Sequence, residues 1–292
     1  MHILTATKWD DYELIDSGHG RRLERFGKFV LNRPDPQALW QPQLDQTRWQ
    51  QADALFLDEG KNHGTWIRKT EIPHAWPMKY GDITMHAKLT PFKHTGVFPE
   101  QRAHWQWMTE KLGSATNTTN ILNLFGYTGI ASLIAAKAGA QVTHVDASKP
   151  TIGWAKENQA LSGLRDKPIR WILDDALKFV RREEKRGVRY DGIIMDPPVF
   201  GHGPGGERWD FNEHFPQLLE ACHKVLTEKP LFIIINAYAV SASAIMLENM
   251  LNDLKLGGTI ESGELAINET NRDRLLSTGI FARWSQSAES AI

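Results

Sequence analysis

Three strand-like segments from residue 141 onward end in carboxylates. Asp146 follows residues 141–145, Asp174 and Asp175 follow 169–173, and Asp196 follows 191–195. Another run, 121–124, leads instead into Phe125-Gly126-Tyr127-Thr128-Gly129. If these runs are parallel strands, their carboxyl ends meet along one edge, where open α/β sheets bind ligands. Gly126 and Gly129 allow a tight turn and a close backbone approach, and the helix that follows presents unpaired N–H groups. The loop lacks the G-x-G-x-x-G spacing of a dinucleotide site, and no pyrophosphate cradle is evident. An acid closing the second strand is placed to take both hydroxyls of a ribose. The expected ligand is therefore nucleoside-like and carries no phosphates. Singly, each Gly or Asp is also ordinary turn chemistry; their convergence is what points to a site.

Asp196 opens a second element, Asp196-Pro197-Pro198-Val199-Phe200. Two prolines fix backbone dihedrals and keep their carbonyls out of regular hydrogen bonding. A carboxylate beside a rigid carbonyl can accept the N–H bonds of an exocyclic amine, and Phe200 offers a ring for stacking. A base would have to leave its stack to arrive there. The bland reading of Asp-Pro is a strand-terminating turn. Directly afterwards, Gly201-His202-Gly203-Pro204-Gly205-Gly206 reads equally as a lid over substrate or as a plain connector. His202 is a weak candidate proton acceptor.

The elements that would position these residues follow from pattern. At 292 residues, the chain predicts one large domain and a smaller module. Residues 1–94 hold short β-like pieces punctuated by prolines, which predicts a mostly-β module that helps dock substrate. Residues 95–292 form the second domain, with a helix start at Pro99. From about residue 115, strand and helix patterns alternate. This predicts an α/β fold with a doubly wound, mostly parallel seven-stranded sheet. Two tail strands, 258–266 and 280–285, are expected to add an antiparallel edge.

Composition narrows the classes. Thirty-four basic and 35 acidic residues give a net charge of −1, so any polyanion site must come from local clustering. Two clusters qualify. Arg21, Arg22, Arg25 and Lys28 lie in the β-rich module and form the better RNA candidate, whereas residues 178–189 read as a helix face with internal ion pairs. Of eleven tryptophans five precede residue 95 (Trp9, Trp40, Trp49, Trp66, Trp76), and they suit the core of a small module better than base stacking. The single cysteine, Cys222, excludes a disulfide framework and a multi-thiolate zinc site; no metal is expected. No apolar run approaches the ~20 residues of a membrane helix, and early acids (Asp10, Asp11, Glu13, Asp16) speak against a secretory signal. The cytoplasm is the expected compartment. The sequence does not report an oligomeric state.

Taken together, Asn-Leu-Phe-Gly-Tyr-Thr-Gly (123–129), Val-Asp-Ala-Ser (145–148), Asp174-Asp175-Ala176 and Asp-Pro-Pro-Val-Phe-Gly (196–201) resemble a class I S-adenosylmethionine-dependent methyltransferase. More narrowly, with Gly96-Val97-Phe98-Pro99-Glu100-Gln101-Arg102 before the domain, they resemble the ribosomal large-subunit RNA methyltransferase I-like group. The resemblance implies S-adenosylmethionine as cofactor and a base of RNA, ribosomal by expectation, as acceptor. It assigns the methionine moiety to the loop from Asn123 through Phe125, Gly126 and Thr128 to Gly129. Asp146, with Ala147, takes the ribose, and Asp175 or Asp174 the adenine amino group. Phe98 and Gln101 line the pocket, and Asp196, Pro197, Pro198 and Phe200 form the catalytic ledge.

Family members that methylate carbon-5 of pyrimidines carry a cysteine after the fifth strand, where this chain has Ile235-Asn236-Ala237. A ring or exocyclic nitrogen is therefore favoured, with Asn236 as a possible further contact. A nicotinamide oxidoreductase, a methyltransferase on a non-RNA acceptor and a non-catalytic RNA-binding protein are the rival readings.

Overall fold

The computed structural model describes residues 2–5, 8–60, 63–115 and 117–286. Apart from a first strand, β1 (His2–Thr5), the chain up to Arg102 builds the smaller of two units, and Ala266–Thr278 returns to complete it. The largely buried strands β2 (Tyr12–Gly18), β3 (Arg21–Phe26) and β4 (Phe29–Pro34) pair as an antiparallel meander. A short helix, α1 (Gln46–Gln50), then leads to β5 (Ala54–Gly60), parallel to β4, and to β6 (His63–Arg68). A separate hairpin pairs β7 (Trp76–Tyr80) with β8 (Ile83–Ala87). The tryptophans here serve structure. Trp40, Trp49, Trp66 and Trp76 each donate their indole N–H to a protein oxygen, on Ser17, Asp16, Thr90 and Phe26 respectively.

The boundary differs from the expected 94/95. The unit runs on through a 3-10 turn, Pro99–Gln101, and takes in the distant segment Ala266–Thr278. That segment is fastened by Thr270 N–H to the Leu14 carbonyl (2.9 Å) and by Arg272 Nη2 to the Ser17 carbonyl (3.0 Å). A contact spanning some 250 residues leaves no mark on local pattern.

The larger unit begins along α2 (Arg102–Gly113) and alternates as expected: β9 (Asn120–Leu124), α3 (Ile130–Lys137), β10 (Gln141–Asp146), α4 (Lys149–Leu161), β11 (Ile169–Leu173), α5 (Ala176–Lys185) and β12 (Gly192–Met195). A hairpin, β13 (Phe200–His202) and β14 (Arg208–Asp210), precedes α6 (Phe211–Lys224) and β15 (Phe232–Ala237). Then come α7 (Ala244–Asp253), β16 (Thr259–Asn268) and β17 (Leu275–Ser285). The sheet order is β1-β16-β17-β15-β12-β9-β10-β11. Five strands are parallel, and β17 enters antiparallel beside β15. The seven strands expected are joined by an eighth, β1, beyond β16. The chain leaves β9 for β10 on one side and returns to β12 on the other, so the sheet's switch point lies at β9. The main core, including Leu122, Met195, Phe179, Phe215 and Ile235, packs α5 and α6 against this centre.

Candidate functional site

The loop after β9 is wound in an uncommon way. Phe125 (φ 56°), Tyr127 (φ 50°) and Gly129 (φ 82°) alternate in the left-handed region. For the two aromatic residues this costs roughly 1–2 kcal/mol each, so neighbours must hold them. The Gly126 N–H donates to the Val145 carbonyl (3.1 Å), and the Tyr127 N–H to Asp146 Oδ2 (2.8 Å). Gly126 is required by close approach: a Cβ there would sit 2.3 Å from His144 Cε1. Beneath it runs a buried chain in which Asn123 Nδ2 donates to Ser132 Oγ (2.9 Å), and that hydroxyl meets His144 Nδ1 at 3.0 Å. Burial pushes the His144 pKa down to about 3, so the ring stays neutral. Asn123 therefore anchors the floor of the loop. Thr128, also buried, offers its carbonyl to Asn158 Nδ2 (3.0 Å).

Asp146 joins two loops. Its Oδ1 accepts from the Ser148 N–H (2.8 Å) and from Thr151 Oγ1 (2.9 Å), while Oδ2 holds the loop after β9. The adjacent acids at the next strand end divide their work. Asp174 pairs with Arg182 and accepts the Asp175 N–H (2.9 Å). Asp175 caps α5 through Oδ1, taking the Lys178 N–H at 2.8 Å, and that cap leaves its second oxygen unused.

These ends wall a cleft of about 60 Å³. Six of the cofactor and catalytic residues that the resemblance assigns line it, Phe125, Asp146, Ala147, Asp174, Asp175 and Pro198, and so does His202, the weak candidate proton acceptor. Val145 and Ala176 add apolar wall, and Gly201, His202, Gly203 and Trp209 close the far side. Asn123, Gly126, Thr128 and Gly129 build the loop from below. Asp196, half-buried, and the buried Pro197 follow the end of β12. Phe200 is 69 % exposed. Phe98 and Gln101 belong to the smaller unit, where Phe98 packs on His94 with ring centroids 5.2 Å apart. Asn236 is buried within β15 and does not line the cleft. Cys222 is wholly buried on α6 against Met195, and burial pushes its thiol pKa up, so no thiolate nucleophile arises there.

Two details correct the sequence reading. The glycine-rich stretch is the tip of the β13–β14 hairpin rather than a plain connector. The Gly203 N–H meets the Glu207 carbonyl (2.7 Å), and Lys178 Nζ bonds Glu207 Oε1 (2.6 Å). In addition, the Pro198 carbonyl is not left idle, because Trp209 Nε1 donates to it at 2.7 Å. Trp209, which the sequence reading missed, also packs on Phe125 with centroids 4.9 Å apart. Strands of three residues, one containing glycine, give too little alternation to announce the hairpin that carries it.

The cleft chemistry selects among ligands. Three carboxylates would repel a pyrophosphate, yet suit ribose hydroxyls, an exocyclic amine and a positive sulfonium. Apolar walls between them suit the flat face of a base. A mostly parallel sheet with such a cleft at its switch point has the architecture of a class I methyltransferase. Residues 60–254 match the family model described as S-adenosylmethionine-dependent methyltransferase. A solved SAM-dependent methyltransferase from Agrobacterium tumefaciens is 45% identical with a TM-score of 0.94, over 98% of this chain and 93% of that one. Ribosomal RNA large subunit methyltransferase K/L of Shewanella frigidimarina is 37% identical over 142 residues, 48% of this chain and 19% of that protein. The protein of the same description from Shewanella sp. (strain ANA-3) is 39% identical over 117 residues, 39% of this chain and 16% of its own. The chain thus spans less than a fifth of the length of these curated relatives. It belongs to the S-adenosylmethionine-dependent methyltransferase family, and S-adenosylmethionine is its cofactor. Among the described residues, no helix is long and apolar enough to cross a membrane.

Proposed function

We propose that this methyltransferase modifies a base of RNA, with ribosomal RNA as the substrate, at a ring or exocyclic nitrogen. The observation that carries this reading is the ledge itself. Asp196-Pro197-Pro198 runs from the central strand to the cleft wall, and the Phe200 ring stands exposed beyond it. The relatives named as ribosomal RNA methyltransferases support it through the part of their length they share with this chain.

In this reading the loop from Asn123 to Gly129 receives the methionine moiety and Asp146 the ribose hydroxyls. Asp175 takes the adenine amino group, because Asp174 is already held by Arg182 and the Asp175 N–H. When bound, S-adenosylmethionine supplies an electrophilic methyl group on sulfur. Displacement at that carbon needs an aligned lone pair more than covalent help from the protein. With the Pro198 carbonyl engaged by Trp209, holding the acceptor amine falls to Asp196 and the Pro197 carbonyl, while Phe200 stacks on the base. The smaller unit assists docking, and the cytoplasm is the compartment this chemistry implies.

Labelled methyl transfer to total RNA, followed by mass spectrometry of ribosomal RNA from a strain lacking the gene, tests the proposal. One modified nucleotide should disappear, and Asp196→Ala should abolish transfer while sparing cofactor binding. Label that enters protein or a small molecule instead, or full activity in Asp196→Ala, would overturn it.

A further inference from the structure

The helix that borders the cleft turns one kind of charge outward. Lys178, Arg181, Arg182, Lys185, Arg186 and Arg189, on α5 and just after it, are all exposed. The two acids of the same stretch do not share that surface equally. Glu183 is 1 % exposed, with Tyr190 Oη (2.7 Å), Arg170 (3.2 Å) and Arg186 (3.1 Å) on its carboxylate, and Glu184 is half-buried. Arg170 and Arg182 both lie over the Phe179 ring, at 5.7 and 5.8 Å, which fixes the cleft end of the row. Carboxylates do border it. Asp174 pairs with Arg182 and Glu207 with Lys178, and on α6 Glu213 and Glu220 pair with Arg208 and Lys224. Arg181, Lys185 and Arg189 have no ionic partner within salt-bridge distance among the described residues; Arg181 meets Gln217 and Arg189 the Val188 carbonyl.

We infer that this ridge is a track for the phosphates of single-stranded RNA, leading to the cleft. The inference rests on the RNA reading above and adds the surface that grips the strand. Its direction follows from the fold, since Asp174, Asp175 and Ala176 line the cleft and α5 runs outward from them. Cations on successive turns, about 5.4 Å apart, form a line, which matches a linear polyanion. Most of them are arginines, whose forked donors fit phosphate oxygens. At the cleft end stands Phe200, on the hairpin that Lys178 ties to α5. A row of cations ending in an exposed aromatic ring is how proteins bind single strands without reading sequence. An acidic protein partner would match the charges but would leave that ring unexplained.

The test uses the full chain and a labelled oligouridine as probe, with binding followed by anisotropy between about 50 and 200 mM salt. The triple variant Arg181→Glu/Lys185→Glu/Arg189→Glu should bind at least ~10-fold more weakly at the low end. Its salt slope should fall by about 2, at ~0.7 for each phosphate that is no longer neutralised. S-adenosylmethionine affinity by calorimetry should be unchanged, and Lys156→Glu, a charge reversal at an exposed position of α4 away from the ridge, should bind like the parent. Undiminished oligouridine binding by the triple variant would overturn the track. If that same variant lost binding to polyglutamate, the surface would pass to an acidic protein. A parent enzyme that methylates ribosomal RNA yet ignores oligouridine would sink the track alone. Methyl transfer to protein in place of RNA would sink both.

Discussion

Two arginine-rich stretches, one in each unit, have much the same composition and opposite fates. On β3, Arg22 and Glu24 share one face of the strand and Arg21 and Arg25 the other, and nearly all are spent internally. Arg21 Nη2 reaches the Phe56 carbonyl (2.8 Å), Arg25 pairs with Glu13 (3.2 Å) and Arg22 with Glu24 (3.2 Å). Glu24 itself is fully buried, held from both sides by Arg33 (2.8 and 2.9 Å) and by the Tyr12 hydroxyl (2.7 Å). On α5 the geometry is inverted: a single acid, Glu183, goes inward and the cations remain outside. The period of the element decides the outcome. A strand packed on both faces leaves a cation little outer side, whereas a helix with one buried stripe has a wide one. Charge counted along a chain is therefore not charge on a surface.

The largest effect should come from removing the acid at the centre of the inward cluster. Glu24→Ala strands two guanidiniums away from water, and breaking a buried ion pair on one side costs about 3–5 kcal/mol. Denaturant unfolding of the smaller unit should show it. Acid should do the same more gently. Burial alone would raise the Glu24 pKa, but Arg22 and Arg33 outweigh it and hold the carboxyl below the usual range. Its stabilisation is thus complete above roughly pH 5 and is lost as pH falls through that lowered value. A parent protein whose stability stays flat from neutrality into acid would contradict the inward arrangement.

A smaller effect is expected at the matching acid of the outward cluster. Glu183→Gln keeps the shape but weakens three bonds, two of them to arginines that can turn into solvent. A loss of about 1–3 kcal/mol follows, because the cations need not stay buried. Oligouridine affinity should hold or rise, since the outer face only becomes more positive. A drop in affinity at unchanged fold would mean that Glu183 orders the ridge.

The same contrast marks how much is legible in sequence. Strand–helix alternation and the acids at strand ends are local signals repeated every few residues, and the sheet follows them, whereas the switch point at β9 needs the strand order. Asp146 and Asp174 are visible as acids, but not as partners of Tyr127 and Arg182, because those contacts need the folded loops. Trp209 and the Ala266–Thr278 segment are illegible for the same reason. One sits on a strand of three residues, and the other is fastened to the smaller unit by contacts across most of the chain. Neighbours in sequence rank the two basic clusters as RNA surfaces one way, and the track inferred above, resting on burial, ranks them the other way.

The smallest effects separate the two regions most cleanly, since they should cross. Arg25 makes a half-exposed pair with Glu13 and donates to the Gly27 carbonyl at 2.8 Å. Screening and side-chain entropy hold such a pair to about 0.2–1 kcal/mol, so Arg25→Ala should lower stability by that much and leave oligouridine binding alone. Lys185 stands exposed at the last turn of α5. Lys185→Ala should change stability by no more than ~0.5 kcal/mol, yet remove about one unit or less of salt slope, the signature of a single phosphate set free. Measured side by side, the two variants should exchange their effects, one moving the unfolding midpoint and the other the salt dependence. If Arg25→Ala moved the slope and Lys185→Ala did not, the inward and outward assignments would have to be traded.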